Sequence, residues 1–138
     1  MKHQKNNMKE YELGREGEQQ ARILLKKLGF EVQSPDWLAV KENNWTCIEV
    51  KKKERFDPPP FAGHGLDNRQ IYLRKKLLEE KEIRTFLLIF EVGTDNIFGQ
   101  YLDVLEEGNK FITKNGITIY PLPSFQNLKL GRVDNSQF

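Results

Sequence analysis

The sequence predicts an α/β protein, a central mixed β-sheet flanked by α-helices with an added C-terminal β-hairpin. Three observations predict it. Gly17, Ala21, Leu24, Leu25 and Leu28 recur at helical spacing and are followed by short aromatic and β-branched runs. A second helical stretch then precedes the most apolar run, Phe86-Leu87-Leu88-Ile89-Phe90, which reads as a strand buried on both faces. Finally, Asn115-Gly116, a strong hairpin signal, lies between two further apolar runs.

In chain order, the first helix is expected from about Leu13 to Leu28, with Gly29 at the position that stops it. Phe30 to Gln33 reads as a short strand, ended by Ser34-Pro35. Trp37 to Val40 and Trp45 to Lys51 read as a hairpin about Asn43-Asn44, since asparagine tolerates the positive φ of a tight turn. A loop from Glu54 to Leu66 carries Pro58-Pro59-Pro60, Gly63 and Gly65, the last with Leu66 introducing the second helix. That helix is expected from Asp67 to about Glu82, where Asp67-Asn68-Arg69-Gln70 resembles a capping box. Strands follow at Arg84–Val92 and Ile97–Val104. Lys110 to Thr113 and Ile117 to Tyr120 form the last hairpin, and Pro121-Leu122-Pro123 is placed to extend the sheet, cover its edge or touch a second copy.

A chain of 138 residues fits one domain. Residues 1–12 read as a flexible N-terminal segment, 13–130 as the domain and 131–138 as a C-terminal tail. Apolar residues at 38% and charged residues at 30% describe an ordinary globular chain. No apolar run approaches the roughly 20 residues that cross a bilayer, and the polar opening lacks a signal-peptide core. Cys47 is the single cysteine, which excludes an internal disulfide and suits a reducing cytoplasm. With only His3 and His64 beside it, a structural zinc site is not expected. The net charge is just +2, yet Lys51, Lys52, Lys53 and Arg55 form one basic cluster and Arg69, Arg74, Lys75 and Lys76 another.

The chemistry concentrates in the first hairpin. With Asn43-Asn44 as its turn, Glu49 sits opposite Leu38 and Lys51 opposite Asp36. Asp36, Glu49 and Lys51 then project from the same face at the same end. Paired carboxylates repel one another unless a cation joins them. Oxygen ligands favour a hard ion such as Mg²⁺, with water and substrate phosphate completing its shell. Lys51 could orient an attacking water or neutralise developing charge. Val50 points into the core while its carbonyl remains available as a ligand. Charges on an exposed hairpin often only solubilise it, but Glu49 lies in an apolar run and so needs a partner or a metal.

Two helical positions join these. Glu18 lies at the edge of the first helix's buried stripe, whereas Glu16 falls nearer solvent. Gln70 lies at the inward edge of the second helix, spaced with Leu73 and Leu77, and equally suits a capping-box role. Lys52, Lys53 and Arg55, with Arg69 and Arg74, are placed to follow a phosphate backbone. Phe56, Phe61 and His64 in the loop could touch DNA, although a lone loop histidine is more often simply solvated. Trp37 and Trp45 read as core or rim packing.

These residues resemble the PD-(D/E)XK nuclease superfamily and, within it, are most similar to archaeal-type Holliday junction resolvases and small phage nucleases. The resemblance covers roughly residues 13 to 92: Gly14-Arg15-Glu16-Gly17-Glu18, Leu28-Gly29-Phe30, Pro35-Asp36, Glu49-Val50-Lys51, the helix bearing Gln70 and the apolar strand. It implies a restriction-endonuclease-like sheet and Mg²⁺ or Mn²⁺ held by Asp36, Glu49 and the Val50 carbonyl. It also implies that Glu18 contributes directly or through water, that Lys51 stands beside the nucleophilic water, and that Gln70 reaches the site. Resolvases of this type are homodimers that act on DNA. Here Pro35-Asp36 follows the first strand without the family's usual glycine- or serine-containing loop, so the resemblance supports nuclease chemistry better than Holliday-junction-type structure specificity, which stays open. The expected function is therefore metal-dependent endonucleolytic hydrolysis of DNA. A DNA-binding module that has lost hydrolysis, and a nuclease acting on RNA, are the alternatives.

Overall fold

The structure is a computed structural model that describes residues 10–33 and 37–129. Its first elements are β1 (Glu10–Tyr11), α1 (Gly14–Lys27), β2 (Glu31–Gln33), β3 (Leu38–Lys41), β4 (Asn44–Lys53) and β5 (Gly63–Asp67). They are followed by α2 (Asn68–Lys81), β6 (Arg84–Glu91), β7 (Ile97–Tyr101), α3 (Leu102–Glu107), β8 (Phe111–Ile112), β9 (Ile117–Pro121) and β10 (Gln126–Asn127). The larger sheet runs β10-β7-β6-β4-β3-β2, with β1 also pairing with β4. Only β4 and β6 run parallel; the other pairs are antiparallel, so the sheet is mixed as expected. A second sheet, β5-β9-β8, contains the expected C-terminal hairpin.

Two apolar layers sandwich the larger sheet. On one face, Ala21, Leu24, Leu25 and Leu28 of α1 meet Ile48, Phe86 and Leu88. On the other, Ile71 of α2, Leu102 and Leu105 of α3, and Leu66 and Tyr120 of the second sheet cover Leu87 and Ile89. β6 thus alternates strictly between two cores, as a central strand covered on both sides must. No described helix is long and apolar enough to cross a membrane.

Several elements differ from the expectation. The first hairpin turns at Glu42-Asn43, not Asn43-Asn44; both residues have positive φ, 52° and 67°, as a two-residue hairpin turn of the primed type requires. Lys41 therefore faces Asn44, and Leu38 faces Cys47 instead of Glu49. The displacement is an even number of residues, so each side chain keeps its face. Asp36, expected opposite Lys51, lies outside the described residues.

Glu10 and Tyr11, expected in a flexible segment, pair with Lys53 and Lys52 as β1. Beyond Tyr101 the backbone turns into α3 instead of continuing as a strand, because Leu102 and Leu105 are three apart and both enter the core. On α2 the inward stripe is set by Ile71, leaving Leu73 exposed. Asp67 caps that helix by accepting from the Arg69 amide at 2.7 Å.

The largest difference is β5, expected as loop. Gly63 and Gly65 look like loop residues, but here glycine permits a close approach of backbones. A Cβ on Gly63 would stand 2.2 Å from the Tyr120 carbonyl oxygen, and one on Gly65 would stand 2.9 Å from that of Thr118. Substituting Gly63→Ala is expected to lower stability by on the order of 1–3 kcal/mol, because the β5–β9 pair must part to admit the methyl group. Urea denaturation of the variant and the parent checks this.

Candidate active site

β4 positions the acidic and basic groups by its pleat. Ile48 and Val50 belong to the α1 face, so Cys47, Glu49, Lys51 and Lys53 face α2 and the second sheet. The neighbours of Glu49 and Lys51 on β6 are Leu87 and Ile89. Glu49 is 9% exposed and meets Arg74 of α2, whose Nε donates to Oε2 at 2.7 Å while Nη2 reaches the same oxygen. A carboxylate this buried needs a charged partner, and Arg74 supplies it. Arg74, expected along a phosphate backbone, faces the sheet instead; its place three residues after the inward Ile71 is the sequence signal for that.

Lys51 is largely covered and lies 3.6 Å from the carboxylate of Glu10. Glu10, expected in a flexible segment, is held there by β1–β4 pairing. Gln70 is half-buried in the first turn of α2. Glu18 is exposed on α1, which packs on the opposite face of β4 from Glu49. Of the two helix glutamates it is Glu16 that lines a groove with Gln20, Lys52 and Phe90, which reverses the expected order.

The basic residues assigned to DNA also divide. Lys52 lines that α1-side groove, and Arg69 is exposed on α2. Lys53 is not a surface group: it is 1% exposed and its ammonium donates to the Gly65 carbonyl. Arg55 makes a two-pronged pair with Glu91, Nε–Oε2 2.9 Å and Nη2–Oε1 3.0 Å. Phe56 is buried with Ile117 and Ile119, and Phe61 packs against them, so neither is a free loop aromatic. Trp37 packs on the main core with Arg22 4.7 Å above its ring, whereas Trp45 is a rim residue.

His64, expected in a solvated loop, is wholly buried in β5. One ring nitrogen, Nε2, is 2.8 Å from Glu91 Oε2. Because the carboxylate can only accept, Nε2 carries the proton. Nδ1 then has no hydrogen-bond partner among the described residues, with Phe98 and Phe125 packed around the ring. Burial pulls the His64 pKa down to about 4 against the opposing pull of Glu91, so the ring is neutral at pH 7. Burial alone would raise Glu91, but hydrogen bonds from Arg55, Asn96, His64 and Thr94 outweigh it and hold the carboxyl at about 2. Burial likewise pulls Lys53 down to about 8. This network was visible in the sequence only as Glu91 sharing a strand face with Leu87 and Ile89, a charge at the end of an apolar row. Cys47 is buried, which pushes its thiol pKa up and keeps it protonated, so it is no nucleophile.

Among the described residues no three carboxylate, histidine or cysteine side chains come together in metal-holding geometry. Both Arg74 contacts fall on Oε2 of Glu49, so Arg74 does not engage Oε1. That oxygen and the Val50 carbonyl are oxygen donors of the kind a hard cation takes; the further carboxylate in the expected set, Asp36, is outside the described residues. No protein-family model matches the chain, and no curated protein matches it.

The buried histidine makes stability pH-dependent. Its folded pKa of about 4 lies below the ordinary 6.5, so between these values the unfolded chain binds the extra proton. Stability is then lost as pH falls from about 6.5 toward 4. The thermal midpoint should fall across that window, and His64→Phe should flatten the fall by on the order of 1–3 kcal/mol. Thermal scans of both proteins at half-unit pH steps measure it; an unchanged slope in the variant would show that the histidine is not responsible.

Proposed function

We propose that this protein is a metal-dependent endonuclease that hydrolyses phosphodiester bonds in DNA. The observation that carries the proposal is the common face of Glu49 and Lys51 on β4, with the Glu49 carboxylate buried and Lys51 two residues away along the strand. Glu49 is buried and Lys51 largely covered on a strand paired with β6 along this stretch, which holds them in place and suits a site whose task is positioning.

The residues that would hold Mg²⁺ or Mn²⁺ are Glu49 through its carboxylate, Val50 through its carbonyl and Asp36. When bound, the ion polarises a phosphate oxygen and acidifies a water. Lys51 places a positive charge beside that phosphate and stabilises the charge that builds on it. Arg74 holds Glu49 in one orientation and, if drawn away by a phosphate, would release it. Glu10 balances Lys51 in the absence of substrate. Glu18, exposed on the helix that packs on the other side of the sheet, does not belong to the Glu49 face. Lys52 and Arg69, both on the surface or a groove, support backbone contacts to DNA better than Lys53 or Arg55. Exposed Phe111 and Ile112 on the edge strand β8 support a homodimer, and the single buried thiol accords with a cytoplasmic setting.

The Glu49–Arg74 pair also favours a second reading, a DNA-binding module whose carboxylate has become a structural partner of arginine. Cleavage decides between them. Supercoiled plasmid and a synthetic four-way junction should be cut in Mg²⁺ or Mn²⁺ and left intact in EDTA. Glu49→Gln and Lys51→Met should each lower the rate by about 10²–10³-fold while keeping a parental thermal midpoint. Binding without cleavage in either metal would establish the second reading, and preferential cutting of a matched RNA would move the substrate from DNA to RNA.

A further inference from the structure

A cavity of about 200 Å³ opens between α2 and α3 on the Glu49 face of the sheet. Leu78 and Leu102 line it with apolar surface, two basic and three acidic side chains surround it, Arg74 and Glu106 among them, and Thr85 of β6 lines it from the sheet. Thr85 is 3% exposed, and its hydroxyl has no hydrogen-bond partner among the described residues. The neighbouring Cys47 thiol interacts with that hydroxyl, but sulfur is a weak hydrogen-bond partner and leaves most of its bonding capacity unused. A buried hydroxyl left in this state is unfavourable unless something else enters to bond it.

The location connects the cavity to the proposed active site. Thr85 pairs with Cys47, which precedes Glu49 on the same strand face, about 7 Å away along the strand. Arg74 lines the cavity and also holds the Glu49 carboxylate, so the two sites share a side chain. An aliphatic side chain from another protein could cover the leucines but would leave the Thr85 hydroxyl unbonded. A heteroaromatic ring satisfies both: its faces lie on Leu78 and Leu102, and its edge bonds a hydroxyl that can donate or accept. The space suits one ring system and not a base pair.

We propose that this cavity receives a single unstacked nucleobase from the strand whose phosphate lies at Glu49 and Lys51. The inference rests on the nuclease reading for the identity of its ligand, but its test does not require cleavage. An exposed Tyr72 with Lys76 5.7 Å from its ring lies in the adjoining depression, which shares Lys75, Glu79 and Glu106 with the cavity. That surface can receive the neighbouring nucleotides by stacking and charge.

The test uses the full chain in EDTA with oligonucleotides carrying 2-aminopurine at successive positions of a single-stranded, a looped and a four-way-junction substrate. Anisotropy measures binding, and 2-aminopurine emission reports unstacking. Emission should rise severalfold at one position when the parent protein saturates the probe. Thr85→Val, which removes the hydroxyl at nearly constant volume, should weaken binding about 5- to 10-fold and leave weakly binding an abasic probe unchanged from the parent. Leu78→Phe, which fills the cavity, should abolish the emission rise. If it fails to fold, the Thr85→Val comparison decides alone. Saturated binding with no emission change at any position overturns the proposal, as do no binding at all and equal affinity of Thr85→Val and parent for the intact probe. Base capture in EDTA without cleavage in Mg²⁺ would leave the cavity assigned and the nuclease reading refuted.

Discussion

The alternation of side chains along β4 is the constraint on which the rest of the structure depends. Ile48 and Val50 pack beneath α1, which obliges Glu49, Lys51 and Lys53 to face the opposite layer. Parallel pairing with β6, from Thr46↔Arg84 to Lys53↔Glu91, fixes the depth of each in that layer. A register slip by a single residue would exchange the apolar and charged sets and bury the lysines under α1. The apolar burial that stabilises the domain thus also places its charged groups.

Those charged groups fall into two sets, joined by Glu10, whose carboxylate lies 3.6 Å from both Lys51 and Lys53. Toward the end of β4 and β6, Lys53 bonds the Gly65 carbonyl and Glu91 gathers Arg55, His64, Thr94 and Asn96. These contacts join β4, β5 and β6, and with them the two sheets. Burying so many polar groups is tolerated because nearly every one finds a partner. Nearer the middle of β4, Glu49 and Lys51 each meet, among the described residues, one opposite charge from another element: Arg74 for Glu49, and for Lys51 the Glu10 that it shares with Lys53. The first set is structural, and all but His64 Nδ1 is bonded within it. The second is the one a phosphate and a cation could enter, each displacing one partner.

The sequence carried the first two helices, the central strand and the last hairpin plainly, because each rests on local periodicity or on a turn dipeptide. It concealed β5, since Gly63 and Gly65 signal a loop until the backbone of β9 is seen against them. It concealed α3 as well, because Leu102 and Leu105 continue an apolar run and show helical spacing only once the chain has turned. The candidate site was legible to the extent that it lies on one strand: Glu49 and Lys51 share a face by parity alone. Contacts between elements were not legible. Arg74, which turns inward to Glu49, and Arg69, which stays in solvent, differ in the sequence only by their spacing from Ile71, and that spacing names no partner. The basic run from Lys51 to Arg55 likewise looked uniform, although Lys53 is interior and Arg55 is tied to Glu91.

Every chemical step proposed here requires a divalent cation to settle at the Glu49–Lys51 face and nowhere else on the molecule. Titrating ¹⁵N-labelled protein with substoichiometric Mn²⁺ and following paramagnetic broadening tests that most directly. The amides of Glu49, Val50 and Lys51 should broaden first, together with that of Asp36, and Glu49→Gln should remove the effect. Broadening centred on Glu106 and Asp103, or none at all at millimolar Mn²⁺, would contradict a metal-dependent site on β4.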